Sequence, residues 1–226
     1  MPLSSGGSAN GKNCETPLVN FALGGNRGSD VSYSILIAFS NFWRILMYRL
    51  PRPNMAVNDP RVSIGTHTRR FQMWNTWDIA TTESPEHIVE WIGEVARSAR
   101  GGRLKNLVLS CHGTAGRLQL GQGFSAENAY LFNQLNGLVQ KIWLPDCLVA
   151  RGHTGQVFCA AMAMGIGGYV VAPTETQCDT FRDVPYDMMT SFEGEILCFG
   201  PDGDITWRGR NPSLQVEGGA CIPFPD

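Results

Sequence analysis

Short apolar runs alternate with helix-length amphipathic segments through most of this chain, and this alternation limits the folds open to it. Between residues 31 and 172, runs of the length of a buried strand are separated by segments with apolar residues at helical spacing. Parallel strands require a crossover segment between them, and that segment is usually a helix. We therefore predict an α/β fold with a mostly parallel central sheet.

The C-terminal part of the chain predicts a tighter connection. Two strand-like runs, residues 195–199 and 205–207, are separated by a short segment that contains Asp202 followed by Gly203. Asp-Gly between two such runs is a strong signal for a hairpin turn. We predict a β-hairpin at this position.

Three helices are predicted from their start and stop signals. The first begins at Pro85, with Ser84 as its cap, because serine caps helix N-termini and proline is favoured at the first helical position. Gly101 is expected to follow its end. The second helix is predicted to begin at residues 125–127, and the third to cover residues 155–167.

The apolar stretch at residues 31–50 predicts a buried strand followed by a helix. A membrane span needs about 20 predominantly apolar residues. Arg44 and several serines interrupt this stretch, so membrane contact is not expected. Residues 51–68 carry several prolines and asparagines, which predicts an irregular surface loop, and residues 69–79 predict a further strand.

Residues 1–30 are rich in Gly, Ser and Asn and are predicted to form a flexible arm, with one domain spanning residues 31–226. An arm that covers a site until it is cleaved is an alternative that stays open. The arm lacks the basic segment and apolar core of a secretory signal. We therefore expect a cytoplasmic protein, or one secreted by a route that needs no signal peptide.

Composition excludes some classes of function. The 226 residues are 43% hydrophobic, enough for a full core, and the net charge is −2. Such a chain lacks the basic surface that neutralises phosphates, so nucleic-acid binding is not expected. Seven cysteines are scattered without a CxxC pair, so a structural zinc site is not expected. No metal ligands and no cofactor are predicted, and the sequence leaves open whether an ion activates the protein. Several lie within apolar runs, as reduced core cysteines do.

Two of the apolar runs deliver reactive side chains at their carboxyl ends. His112 follows the run at residues 107–109, and Cys147 follows the run at residues 142–144. If these strands are neighbours in a parallel sheet, both side chains lie at the edge where open α/β sheets keep their sites. An imidazole beside a thiol can take its proton and leave a nucleophilic thiolate. His112 and Cys147 are therefore a candidate catalytic pair.

Other residues compete for these roles. Cys111 directly precedes His112, but neighbours on an extended chain point to opposite faces, so we expect Cys111 to point into the interior. His153 could contact a substrate or replace His112 as the base, although a loop histidine without a role is the simpler interpretation. Glu175 and Gln177 follow the next predicted strand, at the edge of the candidate site.

The order of these features resembles that of the caspase-like clan (clan CD) of cysteine peptidases. The matching elements are His112 and Gly113 after a strand, then a helix, then Asp146 and Cys147 after the next strand, and a helix led by Gly155. The pattern is most similar to that of bacterial CHAT-type peptidase domains and covers residues 106–176. This resemblance implies a caspase-like three-layer α/β sandwich with a mostly parallel central sheet and a C-terminal hairpin.

The resemblance also implies roles for individual residues. Cys147 would be the nucleophile, His112 the general base and later the acid, and the amide of Gly113 an oxyanion-hole donor. Metacaspases carry an aspartate two residues before the cysteine where this chain has Pro145, so substrate preference stays open. The candidate substrate-binding residues are Asp146, Arg151, His153 and Glu175.

The expected function is therefore a caspase-like cysteine endopeptidase acting on a protein or peptide substrate, as a bacterial effector or toxin. A non-catalytic caspase-like binding or scaffolding domain is the alternative. A hydrolase of papain or cell-wall-amidase type ranks last, because those families place the cysteine at a helix N-terminus and the histidine later in the chain. The oligomeric state is not predicted.

Overall fold

A computed structural model describes residues 47–64, 67–68, 71–145, 148–177, 184–210, 214–217 and 220–223. Its strands are β1 (Met47–Arg49), β2 (Asn54–Asn58), β3 (Ser63–Ile64), β4 (His67–Thr68), β5 (Asn75–Asp78), β6 (Asn106–Ser110), β7 (His112–Thr114), β8 (Arg117–Gln119), β9 (Phe124–Ser125), β10 (Lys141–Trp143), β11 (Tyr169–Pro173), β12 (Met188–Thr190), β13 (Glu195–Phe199), β14 (Ile205–Arg210), β15 (Leu214–Glu217) and β16 (Ala220–Pro223). Its helices are α1 (Pro85–Ser98), the 3₁₀ helix η1 (Ala129–Leu135) and α2 (Gly152–Ile166).

A seven-stranded sheet lies at the centre, with the strand order β14-β13-β11-β10-β6-β2-β5. The five strands from β5 to β11 run parallel to their neighbours. β13 runs antiparallel to β11, and β14 pairs with β13 as a hairpin. The predicted α/β class, the mostly parallel sheet and the C-terminal hairpin are confirmed.

Alternate residues of the central strands face two different layers. Met55, Leu107 and Ile142 belong to one buried cluster, together with the apolar residues of α1, η1 and α2. Ala56 and Trp143 belong to a second cluster on the other face. That second cluster is completed by residues from β12 and from irregular segments, among them Phe71, Met73, Met189 and Phe192. The described helices thus pack on one face of the sheet.

The first and third predicted helices are confirmed. Ser84 caps α1, since its hydroxyl oxygen accepts a hydrogen bond from the His87 amide at 3.2 Å, and Pro85 takes the first helical position. α2 ends at Gly167, whose φ of 60° is the left-handed conformation that favours glycine. The second predicted helix is the 3₁₀ helix η1, which begins at Ala129 and not at residues 125–127, so its predicted start is wrong.

The prediction of an irregular surface loop over residues 51–68 is wrong for β2. This strand is buried at every position and lies between β5 and β6 in the sheet. Its two asparagines are buried with hydrogen-bonded amides: the side chain of Asn54 donates to the Leu50 carbonyl, and that of Asn58 donates to the Phe71 carbonyl. A polar residue whose hydrogen bonds are satisfied can occupy a buried strand end.

The prediction for residues 31–50 is wrong where the structure describes them. Met47–Arg49 form the strand β1, which pairs antiparallel with β12, in place of the expected helix. The rest of that stretch and the predicted arm at residues 1–30 lie outside the described residues. Among the helices that the structure describes, none is long and apolar enough to cross a membrane.

The cysteines whose side chains the structure describes divide into two groups. Cys111 and Cys159 are buried thiols, as predicted for reduced core cysteines. Cys198, which is buried in β13, is disulfide-bonded, so the prediction is wrong for this residue. An apolar run shows that a cysteine is buried, but it does not show which distant cysteine lies beside it.

Candidate functional site

His112 lies at the carboxyl edge of the sheet, two positions after the end of β6. It begins β7, and its side chain is exposed, whereas Cys111 before it is 1% exposed and packs in the core. The predicted opposite orientation of the two residues is therefore confirmed. Cys111 is placed as a core residue and His112 as the accessible one.

The imidazole of His112 is held by a backbone carbonyl. Its Nε2 lies 2.9 Å from the carbonyl oxygen of Arg61. Because a carbonyl oxygen only accepts hydrogen bonds, Nε2 must carry the proton in this contact. In the neutral ring Nδ1 is then the acceptor, and it makes no hydrogen bond with a described residue. The ring therefore presents a basic nitrogen to the site.

Asp59 and Arg61 fix this carbonyl in place. The carboxylate of Asp59 is fully buried and accepts hydrogen bonds from the Arg61 amide at 3.0 Å and from the Arg61 guanidinium at 2.7 and 2.5 Å. It also accepts one from the amide of Gly121 at 2.9 Å. Arg61 in turn donates to the carbonyls of Gln119 and Gly121. These bonds join the end of β2 to the end of β8 and leave the Arg61 carbonyl facing His112.

The charge of Asp59 is stabilised by its partners. Burial alone would raise the pKa of this carboxyl group, but the hydrogen bonds from Arg61 and Gly121 outweigh burial and hold the pKa below its ordinary value. The hydrogen bonds and the charge of Asp59 raise the pKa of Arg61. The pair is thus an ion pair throughout the physiological pH range.

A three-stranded ribbon, β7-β8-β9, carries His112 and Gly113. The two-residue turn between Thr114 and Arg117 closes β7 and β8. Hydrogen-bonded and non-hydrogen-bonded pairs alternate along an antiparallel ladder, and a two-residue turn closes with a hydrogen-bonded pair. Gly113, which lies opposite Leu118, is then in a non-hydrogen-bonded pair, so its amide points away from β8. No described strand pairs with that edge of β7.

The strand before Cys147 is the direct neighbour of the strand before His112. β10 pairs parallel with β6, with Ile142 opposite Leu107 and Trp143 opposite Val108. Residues on β10 thus lie opposite residues 35 positions earlier, and Cys147 follows His112 by the same number of positions. Asp146 and Cys147 themselves lie outside the described residues, as do residues 178–183.

The chain turns sharply directly after Cys147. Leu148 has a φ of 60°, a conformation that is uncommon for any residue except glycine. Its amide donates to the carbonyl of Glu175 at 3.1 Å, so the predicted edge residue Glu175 lies beside the chain that leaves Cys147. The Glu175 side chain is exposed. Gln177 donates to the carbonyls of Glu175 and Glu193, which orders this loop.

Arg151 and His153 lie further along, at the start of α2. Both are exposed, Arg151 at the N-cap position and His153 in the first turn. The segment between Cys147 and α2 is packed against the helix at Gly155, where an added Cβ would meet the Val149 carbonyl oxygen and lie 2.7 Å from the Ala150 carbonyl carbon. Glycine at this position lets the backbone that follows Cys147 approach the helix closely.

A groove of about 590 Å³ opens beside His112. Its floor is the exposed face of the ribbon, and its residues are Arg61, His112, Gly113, Thr114, Arg117, Leu118, Gln119, Gln122, Gly123, Phe124, Ser125, Glu127 and Asn128. Arg151, His153 and Glu175 are not among them. The structure thus brings His112 and Gly113 together at a groove and places the three other described candidates elsewhere.

Asp59 and Arg61 are the residues of this site that sequence reasoning missed. They follow β2, which was assigned to a loop. The signal was present: Met55, Ala56 and Val57 form a short apolar run that leads into polar residues, as the runs before His112 and Cys147 do.

Comparisons with models of protein families, with curated proteins and with solved structures find no match for this chain.

Proposed function

We propose that this protein is a cysteine peptidase of the caspase-like type, with Cys147 as the nucleophile and His112 as the general base. The three-layer caspase-like form of its α/β sandwich is part of the same proposal. The proposal is carried by one observation: β6 and β10 are adjacent and parallel, so the segments leading to His112 and Cys147 leave the sheet side by side. The carboxyl edge of such a sheet is where ligands bind in open α/β proteins.

The contacts of His112 suit general base catalysis. With Nε2 bound to the Arg61 carbonyl, Nδ1 takes the proton of the Cys147 thiol, and the thiolate attacks the carbonyl carbon of the substrate. The amide of Gly113, directed away from β8, donates to the oxygen that becomes negative. The imidazolium then protonates the leaving amine, and water hydrolyses the thioester with His112 again as base.

The buried Asp59 supports this cycle from a distance. His112 becomes a cation when it takes the proton, and the Arg61 carbonyl that binds Nε2–H stabilises that cation. Asp59 keeps Arg61 in place through hydrogen bonds to its backbone and its side chain. Asp59 and Arg61 are therefore positioning residues, since neither side chain touches the imidazole.

Thiol labelling tests the nucleophile. Iodoacetamide near neutral pH should modify Cys147 first, because a thiolate paired with an imidazole reacts much faster than a thiol. Cys111 and Cys159 are buried and should react only after unfolding. His112→Ala should slow the labelling of Cys147 to the rate of an ordinary exposed thiol. Labelling of Cys147 in the folded wild type no faster than that of an ordinary exposed thiol would support a non-catalytic scaffolding domain instead.

Peptide-library profiling tests the reaction. The wild-type protein should cleave a subset of the library, and Cys147→Ala should cleave none of it. Cys111→Ala is the matched control, since it removes one sulfur from the adjacent region without touching the site. It should retain most activity and lose about 1 kcal/mol of stability from the smaller core side chain. An active Cys147→Ala protein would overturn the proposed function.

A further inference from the structure

The exposed face of the β7-β8-β9 ribbon carries side chains that have no role in the proposed chemistry. Directly opposed residues of antiparallel strands point to the same side. Gln119 lies opposite His112, and Arg117 lies opposite both Thr114 on β7 and Ser125 on β9. The alternate residues Leu118 and Phe124 are buried in the core. The exposed side chains on this face of the ribbon are therefore polar, and Leu118 and Phe124 complete the lining of the groove.

Arg117 is the central cation of this floor. Its guanidinium forms no ion pair or side-chain hydrogen bond with any described residue. The residues directly opposite Arg117 in the two ladders are Thr114 and Ser125, and both carry hydroxyl groups. Arg61 also lines the groove, but the buried carboxylate of Asp59 balances its charge. Glu127 contributes one negative charge to the lining and forms no ion pair with Arg117.

The geometry points to a subsite for an acidic side chain of the substrate, bound by Arg117 with the hydroxyls of Thr114 and Ser125. This inference rests on the proposed peptidase function and deepens it by naming a substrate class. A planar guanidinium flanked by hydroxyl donors matches the two oxygens of a carboxylate. Glutamate or aspartate in an extended peptide is the ligand that this groove fits.

The position of Arg117 indicates which part of the substrate it contacts. His112 protonates the leaving amine, so the substrate residues that follow the cleaved bond lie on the His112 side of the site. Arg117 is paired with Thr114, two residues along β7 from His112, and an extended chain advances by about 3.3 Å per residue. The acidic residue should therefore be about the second one after the cleaved bond.

Binding to the Cys147→Ala protein tests the subsite without turnover. Two dansyl-labelled peptide pools would share a random background, one with a fixed glutamate and one with glutamine, both amidated at the C-terminus so that no other carboxylate is constant. The glutamate pool should bind about tenfold more tightly, as a charge-assisted hydrogen bond predicts. Arg117→Gln should abolish this difference, and Arg117→Lys should keep part of it. Arg103→Gln, an exposed arginine outside the groove, is the matched control and should leave the difference unchanged.

One further variant makes the result specific. Glu127→Gln should increase the affinity for the glutamate pool, because it removes a negative charge from the groove lining. Equal affinity for both pools, or a preference that survives Arg117→Gln, would overturn the inference.

Cleavage products of the wild-type protein should carry the acidic residue after the cut bond, and enrichment before the bond would also overturn it. If the wild-type protein shows no cleavage that depends on Cys147 while the preference for the glutamate pool is present, the peptidase function alone is rejected.

Discussion

At the scale of single residues, Asp59 is linked to His112 through Arg61, whose carbonyl contacts the imidazole. Asp59→Asn keeps the size of the side chain but removes the charge that anchors Arg61. We expect kcat/KM to fall by about tenfold or more, mainly through kcat, because the misplaced Arg61 carbonyl no longer holds the ring in its productive tautomer. Nitrogen NMR of His112 should show the Nε2–H tautomer in the wild type and a mixture in the variant. Unchanged ring signals would remove Asp59 from any positioning role.

Asp59 also gives stability a specific dependence on acid pH. Its pKa is lowered in the folded protein, so the ionised carboxylate stabilises the fold above its unfolded pKa of about 4. That contribution is lost as pH falls through the folded pKa. Urea unfolding followed from pH 5 downwards should show a smaller loss of stability in Asp59→Asn than in the wild type. A loss of equal size in both proteins would mean that other carboxyl groups dominate.

The buried charge of Lys141 destabilises the fold, whereas the ionised carboxylate of Asp59 stabilises it. Lys141 lies on the face of the sheet away from the helices. It is fully buried at the start of β10, with its ammonium group 5.5 Å from the ring centre of Trp143, and burial lowers its pKa to about 7. Between pH 7 and 10 the unfolded chain holds a proton that the folded protein has released. Stability therefore rises with pH in this window, with a limiting slope of about 1.4 kcal/mol per pH unit.

Lys141→Met tests this dependence. Methionine fills similar space without a charge, so the variant should be more stable than the wild type at pH 7. The difference should shrink as pH approaches 10, where Lys141 becomes neutral in the unfolded chain as well. Chemical denaturation of both proteins at several pH values gives the comparison. A variant that is less stable at every pH would show that the ammonium contacts outweigh the cost of burial.

At the scale of elements, α2 packs closely against the segment that follows Cys147. In Gly155→Ala the new methyl group meets the carbonyl groups of Val149 and Ala150, and helical backbone cannot move aside cheaply. We expect a loss of about 1–3 kcal/mol in stability, typical of overpacking. Activity should fall further than the folded fraction does, because the displaced segment follows the proposed nucleophile, Cys147. Thermal melts and kcat measured well below Tm separate the two effects.

Gly165→Ala is the matched control on the same helix. Its added methyl group would lie 2.9 Å from the side-chain oxygen of Asn133 on η1, away from the candidate site. It should cost stability but leave the activity per folded molecule at the wild-type value. If both variants lose activity in the same proportion as stability, the close contact at Gly155 has no special part in the site.

The elements predicted correctly are those with strong local signals. α1 has its cap and proline, α2 its apolar sequence and terminal glycine, and β13 and β14 their Asp-Gly turn. β2 was missed because its apolar run is three residues long and lies between asparagines and prolines. Those asparagines are satisfied by groups on other segments, such as the carbonyl of Leu50 and the amide of Trp74. No local pattern displays such long-range hydrogen bonds.

The candidate site, like the fold, was predictable only where the sequence carries a local signal. An apolar strand leading into a reactive residue is visible in the sequence, and it identified His112 as an accessible side chain at a strand end. The partner of its ring is a backbone carbonyl at Arg61, 51 residues earlier, and any residue type could supply a carbonyl. The partner could therefore be found only once β2 was placed beside β6.

For the whole molecule, the order of the sheet determines which strands are most protected from solvent. β6 lies between β2 and β10, and β10 lies between β6 and β11, so each has hydrogen-bonded neighbours on both sides. β5 and β14 occupy the two ends of the order, and most residues of β14 are exposed. Central amides should exchange with solvent only through global unfolding, and edge amides through local opening.

Hydrogen exchange followed by mass spectrometry tests this arrangement. Peptides that cover β6 and β10 should exchange slowest and at similar rates, with opening free energies close to the global free energy of unfolding. Peptides that cover β5 and β14 should exchange several orders of magnitude faster, since a difference of about 1.4 kcal/mol in opening free energy changes the rate tenfold. Adding mild denaturant should speed exchange of the central peptides more than that of the edge peptides, because global unfolding exposes more surface. If β10 instead exchanged as fast as β14, it would not be a central strand beside β6. The common edge that brings His112 and the segment after β10 together would then be lost.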